Sequence, residues 1–151
     1  MNEFKGTVFE TVSSTRVKFS TRPGESVSTG SLVEIKDSDG KKYLGRVIGI
    51  QRKNYLIDQD GAVQLSTLFS ENENLDPDDI GIRGEFDDFI VCEVEIIGNR
   101  ENSNFFIRPK KPFKIGTKVY KASPEFLNKQ LEPKTNSIEI GYFRDNKDVP
   151  I

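Results

Sequence analysis

The sequence predicts a mainly β domain, a small closed or partly open β-barrel with one or two short helices. Three observations carry this. Glycines punctuate the first half at short intervals, at Gly6, Gly24, Gly30, Gly40, Gly45 and Gly49. Between them stand short runs of β-branched and apolar residues in near-alternation, the period of a strand with one buried face. Ser38-Asp39-Gly40 lies between two of these runs, and Asp-Gly tolerates the positive φ that a tight hairpin turn needs. Strands at such spacing build barrels or sandwiches rather than alternating strand and helix.

Taken in order, Lys5–Glu10, Arg16–Ser20, Leu32–Lys36 and Tyr43–Ile50 each fit a strand. Gln64 to Asp79 breaks the pattern. Leu65, Leu68 and Phe69 recur at helical spacing, the following residues turn acidic, and Pro77 ends any helix, so a short helix within an insertion is expected. Phe86 to Ile97 reads as the longest strand, with Cys92, Val94 and Ile96 on a buried face and Val91, Glu93 and Glu95 on a wet one. Phe105–Ile107 and Lys118–Ala122 read as two more strands. Pro124–Leu131 reads as a short helix, with Ser123 as N-cap and proline in the first turn, and Ile138–Phe143 as a closing strand.

One pattern occurs twice. A proline, a turn, a glycine and a strand follow one another in Pro23 to Val33, through Gly24 and Gly30, and again in Pro112 to Val119, through Gly116. Gly30 and Gly116 are therefore expected to begin strands that bend sharply, where a side chain would clash. Gly24 and Gly45 are read as further structural turn positions.

Composition narrows the chemistry. The chain has 151 residues, 34% hydrophobic and 30% charged, and its eleven Phe among many Val and Ile favour a folded domain over disorder. It has no histidine, the commonest general base and metal ligand, and one cysteine, so no zinc set of the usual kind arises. Cys92, within an apolar strand, reads as an inert core residue. Gly24-x5-Gly30-Ser31 and Gly116-Thr-Lys118 lack the Gly-Lys-Ser/Thr ending of a phosphate loop and run into strands, so they read as turns. The acidic residues between Asp76 and Asp88 lack the Asp-x-Asp-x-Asp-Gly calcium pattern and read as solvated surface. No catalytic, metal or cofactor residue is assigned. With no stretch of 18 apolar residues, no leading apolar segment and no possible internal disulfide, a cytoplasmic protein without membrane contact is expected.

Charge is segregated along the chain. Glu71 to Glu101 holds eleven acidic residues and two basic ones, whereas Asn102 to Lys129 holds seven basic residues against Glu125 alone. The basic set is Arg108, Lys110, Lys111, Lys114, Lys118, Lys121 and Lys129. Three readings stay open: solvated surface, a protein contact in which an acidic face around Asp87 and Asp88 meets a neighbour's lysines, and contact with nucleic-acid phosphates. The net charge of −2 and pI near 5.3 weigh against general polyanion binding.

In order and spacing, these segments resemble the N-terminal barrel of HerA-type hexameric DNA translocases, a form shared with rotary ATP synthase subunits. The resemblance runs through Gly6-Thr-Val-x-Glu, Val17-Lys-Phe-x4-Gly24-x5-Gly30-x2-Val33-Glu-Ile, Leu44-Gly45-Arg46-Val47, Pro112-x3-Gly116-x2-Val119-Tyr120, Ile140-Gly141 and Asp148-Val149-Pro150, nearly the whole chain. It implies one barrel over residues 1–151 with an insertion near 64–79, followed in a parent protein by a RecA-like ATPase domain that uses ATP and magnesium. It further implies a share in hexamer formation and docking of a partner nuclease, in DNA end processing or phage defence. No catalytic residue of the family falls in this stretch. A free-standing nucleic-acid-binding barrel is the alternative, with Phe105 and Phe106 as stacking platforms; adjacent strand residues point to opposite faces, so at least one of the two is expected in the core.

Overall fold

The computed structural model describes residues 3–21, 24–25, 27–55, 57, 59–72, 74–76, 80–81, 88–101, 104–132, 142–143 and 146–150. Six antiparallel strands close into a barrel: β1 (Phe4–Ser13), β2 (Arg16–Thr21), β3 (Leu32–Lys36), β4 (Lys42–Asn54), β5 (Asp88–Gly98) and β6 (Lys118–Lys121). Their order around the barrel is β1-β2-β5-β4-β3-β6, with β6 returning to β1. Helix α1 (Gln59–Glu71) is inserted between β4 and β5, α2 (Pro124–Leu131) follows β6, and β7 (Tyr142–Phe143) pairs with β8 (Asn146–Pro150) in a separate two-stranded sheet.

Alternation in the sequence becomes inside and outside. Val8, Val17, Phe19, Val33, Ile35, Val47, Cys92, Val94, Ile96 and Val119 fill the interior, nearly all fully buried. Small branched side chains suit a six-stranded barrel, whose lumen is narrow and whose strands favour β-branching. Tyr43 and Phe113 close the upper mouth with rings edge-to-face, centroids 5.7 Å apart. Val27, Ile50 and Ile90 pack under the core at the other end. Register shifts in β1 and at Leu44/Gly45 and Val47/Gly49 in β4 supply the curvature that closure requires.

A second core lies outside the wall. There α2 sets Phe126 and Leu127 against Leu44 and Ala122, flanked by Leu32, Ile97, Phe106 and Leu131. The helix begins where the sequence places it: Pro124 leads and the Ser123 hydroxyl accepts from the Phe126 N–H at 3.2 Å. Gln130 is fully buried beside it, and its side-chain carbonyl accepts from the Arg100 N–H at 2.7 Å.

The glycine turns at the end of the repeated pattern, Ser28–Ser31 and Lys114–Thr117, form one device used twice. The Ser31 N–H bonds to the Ser28 carbonyl and the Thr117 N–H to the Lys114 carbonyl, each closing a turn with glycine third, at φ +92° for Gly30 and +90° for Gly116. Each turn then clasps a valine of a neighbouring strand. Gly30 donates to the Val47 carbonyl and Ser31 accepts from the Val47 N–H, at 2.8 and 2.9 Å; Gly116 donates to Val8 and Thr117 accepts from Val8, both at 2.8 Å.

Several expectations are corrected. A Cβ at Gly30 or Gly116 would meet nothing within 4 Å, so left-handed φ, not a clash, reserves these positions for glycine. Gly45 is no turn: it lies within β4, and a Cβ there would stand 2.6 Å from a Val94 methyl. The longest strand is β4, because it runs past the barrel as a ribbon with β5. Phe105–Ile107 forms only a single bridge, Ile107 to Asn99, since the segment crosses close over Gly98 instead of running beside a strand. Helix α1 starts at Gln59, ahead of the expected Gln64, and Pro77 lies outside the described residues. Of the expected closing strand, Tyr142 and Phe143 are described, as β7, and they pair with β8 in the separate sheet, while β6 closes the barrel by joining β1 to β3. Residues 138–141 of it lie outside the described residues.

Gly30→Val and Gly116→Val should each lose more than about 1 kcal/mol through backbone strain alone. Gly6→Ala should lose more than either, because a Cβ there would sit 2.2 Å from the Ser20 carbonyl oxygen. Urea unfolding of the three variants gives the ranking, and a Gly6→Ala protein as stable as the parent sequence would refute the close approach.

Candidate docking and nucleic-acid interface

The upper end of the barrel is built by the β3–β4 hairpin and the chain that leaves β5. Asp37 shapes the hairpin: its Oδ1 accepts the N–H groups of Asp39 at 3.0 Å and Lys41 at 2.8 Å, with Gly40 at φ +86°. Opposite it runs the irregular stretch from Ile107 to Lys114. Phe113 anchors this stretch in the core, and its carbonyl accepts from the Thr11 hydroxyl at 2.9 Å. Pro109 is buried. Hairpin and stretch wall a cleft of about 280 Å³.

Four of the candidate residues come together here. Arg108, Lys110, Lys111 and Lys114 all line the cleft and are exposed. None makes an ion pair among the described residues. Lys118 and Lys121 are not part of the cleft. Both lie on β6, Lys118 exposed and opposite Thr7, Lys121 half-buried with its N–H on the Glu3 carbonyl at 2.8 Å. Sequence reading missed Lys41, which also lines the cleft with its ammonium 5.7 Å from the Tyr43 ring centre. Nothing local in the sequence signals that this hairpin meets a stretch some seventy residues downstream.

The acidic partners are placed differently. Asp88 begins β5, and at about 3.3 Å per residue the ten steps to Gly98 set it roughly 33 Å from the upper end. It is engaged within its own sheet, by the Arg52 guanidinium and by the Asn54 amide at 2.6 Å. The Asn54 bond and then the Arg52 charge hold its carboxyl below the usual 3.8. Glu93 pairs with Arg16 at 3.5 Å and Glu95 with Arg46 at 3.4 Å, so cross-strand pairs engage these two acidic residues as Arg52 engages Asp88. Asp87 lies outside the described residues. Phe105 is 78% exposed, whereas Phe106 is half-buried against the second core, so one of the two packs inward as expected, although the segment is not the strand from which that was argued. Gly24 sits in an exposed turn at φ +92°.

Cys92 is fully buried in the barrel, and desolvation pushes its thiol up to about 11, which removes the thiolate a nucleophile needs. No helix among the described residues is long and apolar enough to cross a membrane.

No family model matches the chain. The DNA double-strand break repair helicase HerA of Pyrococcus furiosus is 33% identical to it over 143 residues, which is 93% of this chain. That identity, over the same run of segments that the closed barrel organises, decides the family. The chain is an N-terminal barrel of the HerA type. It spans about a quarter (24%) of the length of the archaeal helicase.

Two outcomes are expected from these surroundings. Asn54→Ala and Arg52→Ala should each raise the Asp88 pKa, read from the carboxyl shift by NMR. A depressed folded-state pKa gives stability that is present above the unfolded value and lost as pH falls through the folded one, so that contribution should fade below about pH 4 in the parent sequence and be smaller in Asn54→Ala. Cys92 should ignore a thiol reagent in the native state and react once the chain is unfolded; rapid native labelling would contradict its burial.

Proposed function

We propose that this HerA-type barrel is the assembly and partner-docking domain of an ATP-driven DNA translocase, acting with a nuclease in DNA end processing or defence against phage. The observation that carries the reading is the match to a DNA-repair helicase along nearly the whole chain, on a barrel with no assigned catalytic residue. ATP and magnesium would serve a RecA-like domain beyond the barrel, because the chain contains no Gly-x4-Gly-Lys-Ser/Thr loop. The barrel's share is then geometric. A closed, rigid wall offers a fixed outer surface to a neighbouring subunit, and its exposed apolar side chains, among them Phe4, Phe9 and Ile115, are the kind of anchors that such contacts bury.

The full-length protein, compared with a form lacking the barrel, tests this. Sedimentation should show a hexameric ring that falls to smaller species when the barrel is removed, and capture of the nuclease should be lost with it. A barrel-less protein that still forms the ring and still retains the nuclease would overturn the reading.

A further inference from the structure

The cleft at the upper mouth has a composition that ring assembly does not explain. Five cations line it, Lys41, Arg108, Lys110, Lys111 and Lys114, against two carboxylates, Asp37 and Asp39. Asp37 is committed to its own turn through two backbone N–H groups. Pro109 and Pro112 bracket Lys110 and Lys111, fixing φ on either side, and buried Pro109 and Phe113 tie the stretch down. The lysines are thus presented from an anchored backbone and not from a loose loop.

We propose that this cleft grips the phosphate backbone of DNA without reading base sequence. Three observations carry the step. First, the protein-contact alternative needs an acidic complement on a neighbour, and three of the six described acidic residues of that span are already paired internally: Asp88 by Arg52 and Asn54, Glu93 by Arg16, Glu95 by Arg46. Second, protein interfaces are depleted in lysine and centre on accessible aromatic anchors. Here four of the five cations are lysines, and the aromatic floor, Tyr43 at 6% and Phe113 at 5% exposure, is sealed in the core. Phosphates need only cations at the surface; a sealed floor leaves no platform for stacking bases, and lysine ammoniums acting as point charges on phosphates carry no sequence information. Third, the net charge of −2 belongs to the whole chain, while steering depends on the local field of this mouth, where none of Arg108, Lys110, Lys111 and Lys114 is neutralised by an ion pair among the described residues.

The proposal adds to the assembly reading and stands or falls separately from it. The test titrates the 151-residue chain with a labelled 30-base-pair duplex of mixed sequence, and with a second duplex of different sequence, at two salt concentrations. Lys110→Glu/Lys111→Glu is compared with Lys53→Glu/Lys129→Glu, which makes the same change of charge at exposed positions away from the cleft. The cleft variant should lose at least tenfold in affinity for both duplexes alike, and its slope of log affinity against log salt should shrink by about 2, roughly 0.9 for each phosphate no longer neutralised. Lys110→Ala/Lys111→Ala should fall between, and the distant pair should change less than threefold. Equal losses in the two charge-reversed pairs would mean a general charge effect and overturn the proposal, as would a loss for one duplex only. Sedimentation and nuclease capture with the same substitutions in the full-length protein read the docking role independently. Broken association with intact DNA affinity would assign the cleft to an acidic protein surface instead, which also overturns it.

Discussion

Closure is the constraint on which the rest of this domain depends. Six strands reach a closed barrel only if the two segments that re-enter the sheet, ahead of β3 and ahead of β6, arrive at the correct height and direction. Both arrivals use the same clasp: a tight turn with glycine in the left-handed region, and two backbone hydrogen bonds to a valine of the strand alongside, Val47 in one case and Val8 in the other. Both valines are fully buried, so each clasp fixes a core side chain and a sheet register in one step. If either slips by one residue, every inward side chain of that strand turns outward. Closure also removes most of the open sheet edges through which β proteins aggregate.

How much of this is readable in the sequence depends on whether the signal is local. Leu32–Lys36 is recognisable because its alternation, its boundaries and the Asp-Gly turn after it all lie within a dozen residues, and α2 because Ser123 and Pro124 mark its start. The paired proline-to-glycine pattern reveals both clasps, although it misassigns their cause. A chain reads the same whether glycine is required by φ or by space, and only neighbours distant in sequence tell the two apart. Gly6 and Gly45 are the spatial cases, set by Ser20 and Val94, which the chain brings near only through pairing. Phe105–Ile107 has strand composition and no strand partner beyond one bridge, because the path over Gly98 carries it onto the outer core. The candidate site divides in the same way. The run of basic residues is plain in the sequence, but its convergence with Lys41 on one cleft is not, and neither is the internal pairing of Asp88, Glu93 and Glu95.

That pairing changes what charge segregation means. Along the chain, an acidic stretch (Glu71–Glu101) followed by a basic stretch (Asn102–Lys129) resembles two faces made for each other. In the barrel, Glu93 lies beside Arg16 of β2 and Glu95 beside Arg46 of β4, each pair offsetting one negative charge. Exposed pairs of this kind add little stability, typically 0 to about 1 kcal/mol each, so their larger effect is on the field around the molecule. They offset Glu93 and Glu95 locally, whereas Arg108, Lys110, Lys111 and Lys114 at the mouth make no ion pair among the described residues.

The two ends of the molecule then carry different physics. At the lower end, β4 and β5 run on past the barrel and carry α1, with Tyr55 stacked on Phe89, ring centres 4.4 Å apart, and Val63 at 66% exposure. At the upper end, the chain is held close by prolines, a buried phenylalanine and the Asp37 turn, and what it presents is charge. Apolar surface binds at short range and only where shapes match, whereas charge acts across a Debye length of about 8 Å at physiological salt and asks for no particular shape. A polymer such as DNA that must move through a ring suits the second kind of contact, because uniform phosphate attraction holds the strand without fixing it at one register. A stationary partner suits the first. On the proposed reading, the lysine-lined mouth would hold the sliding contact, while the exposed Tyr55 and Val63 beyond a mostly polar ribbon would be available to a fixed one.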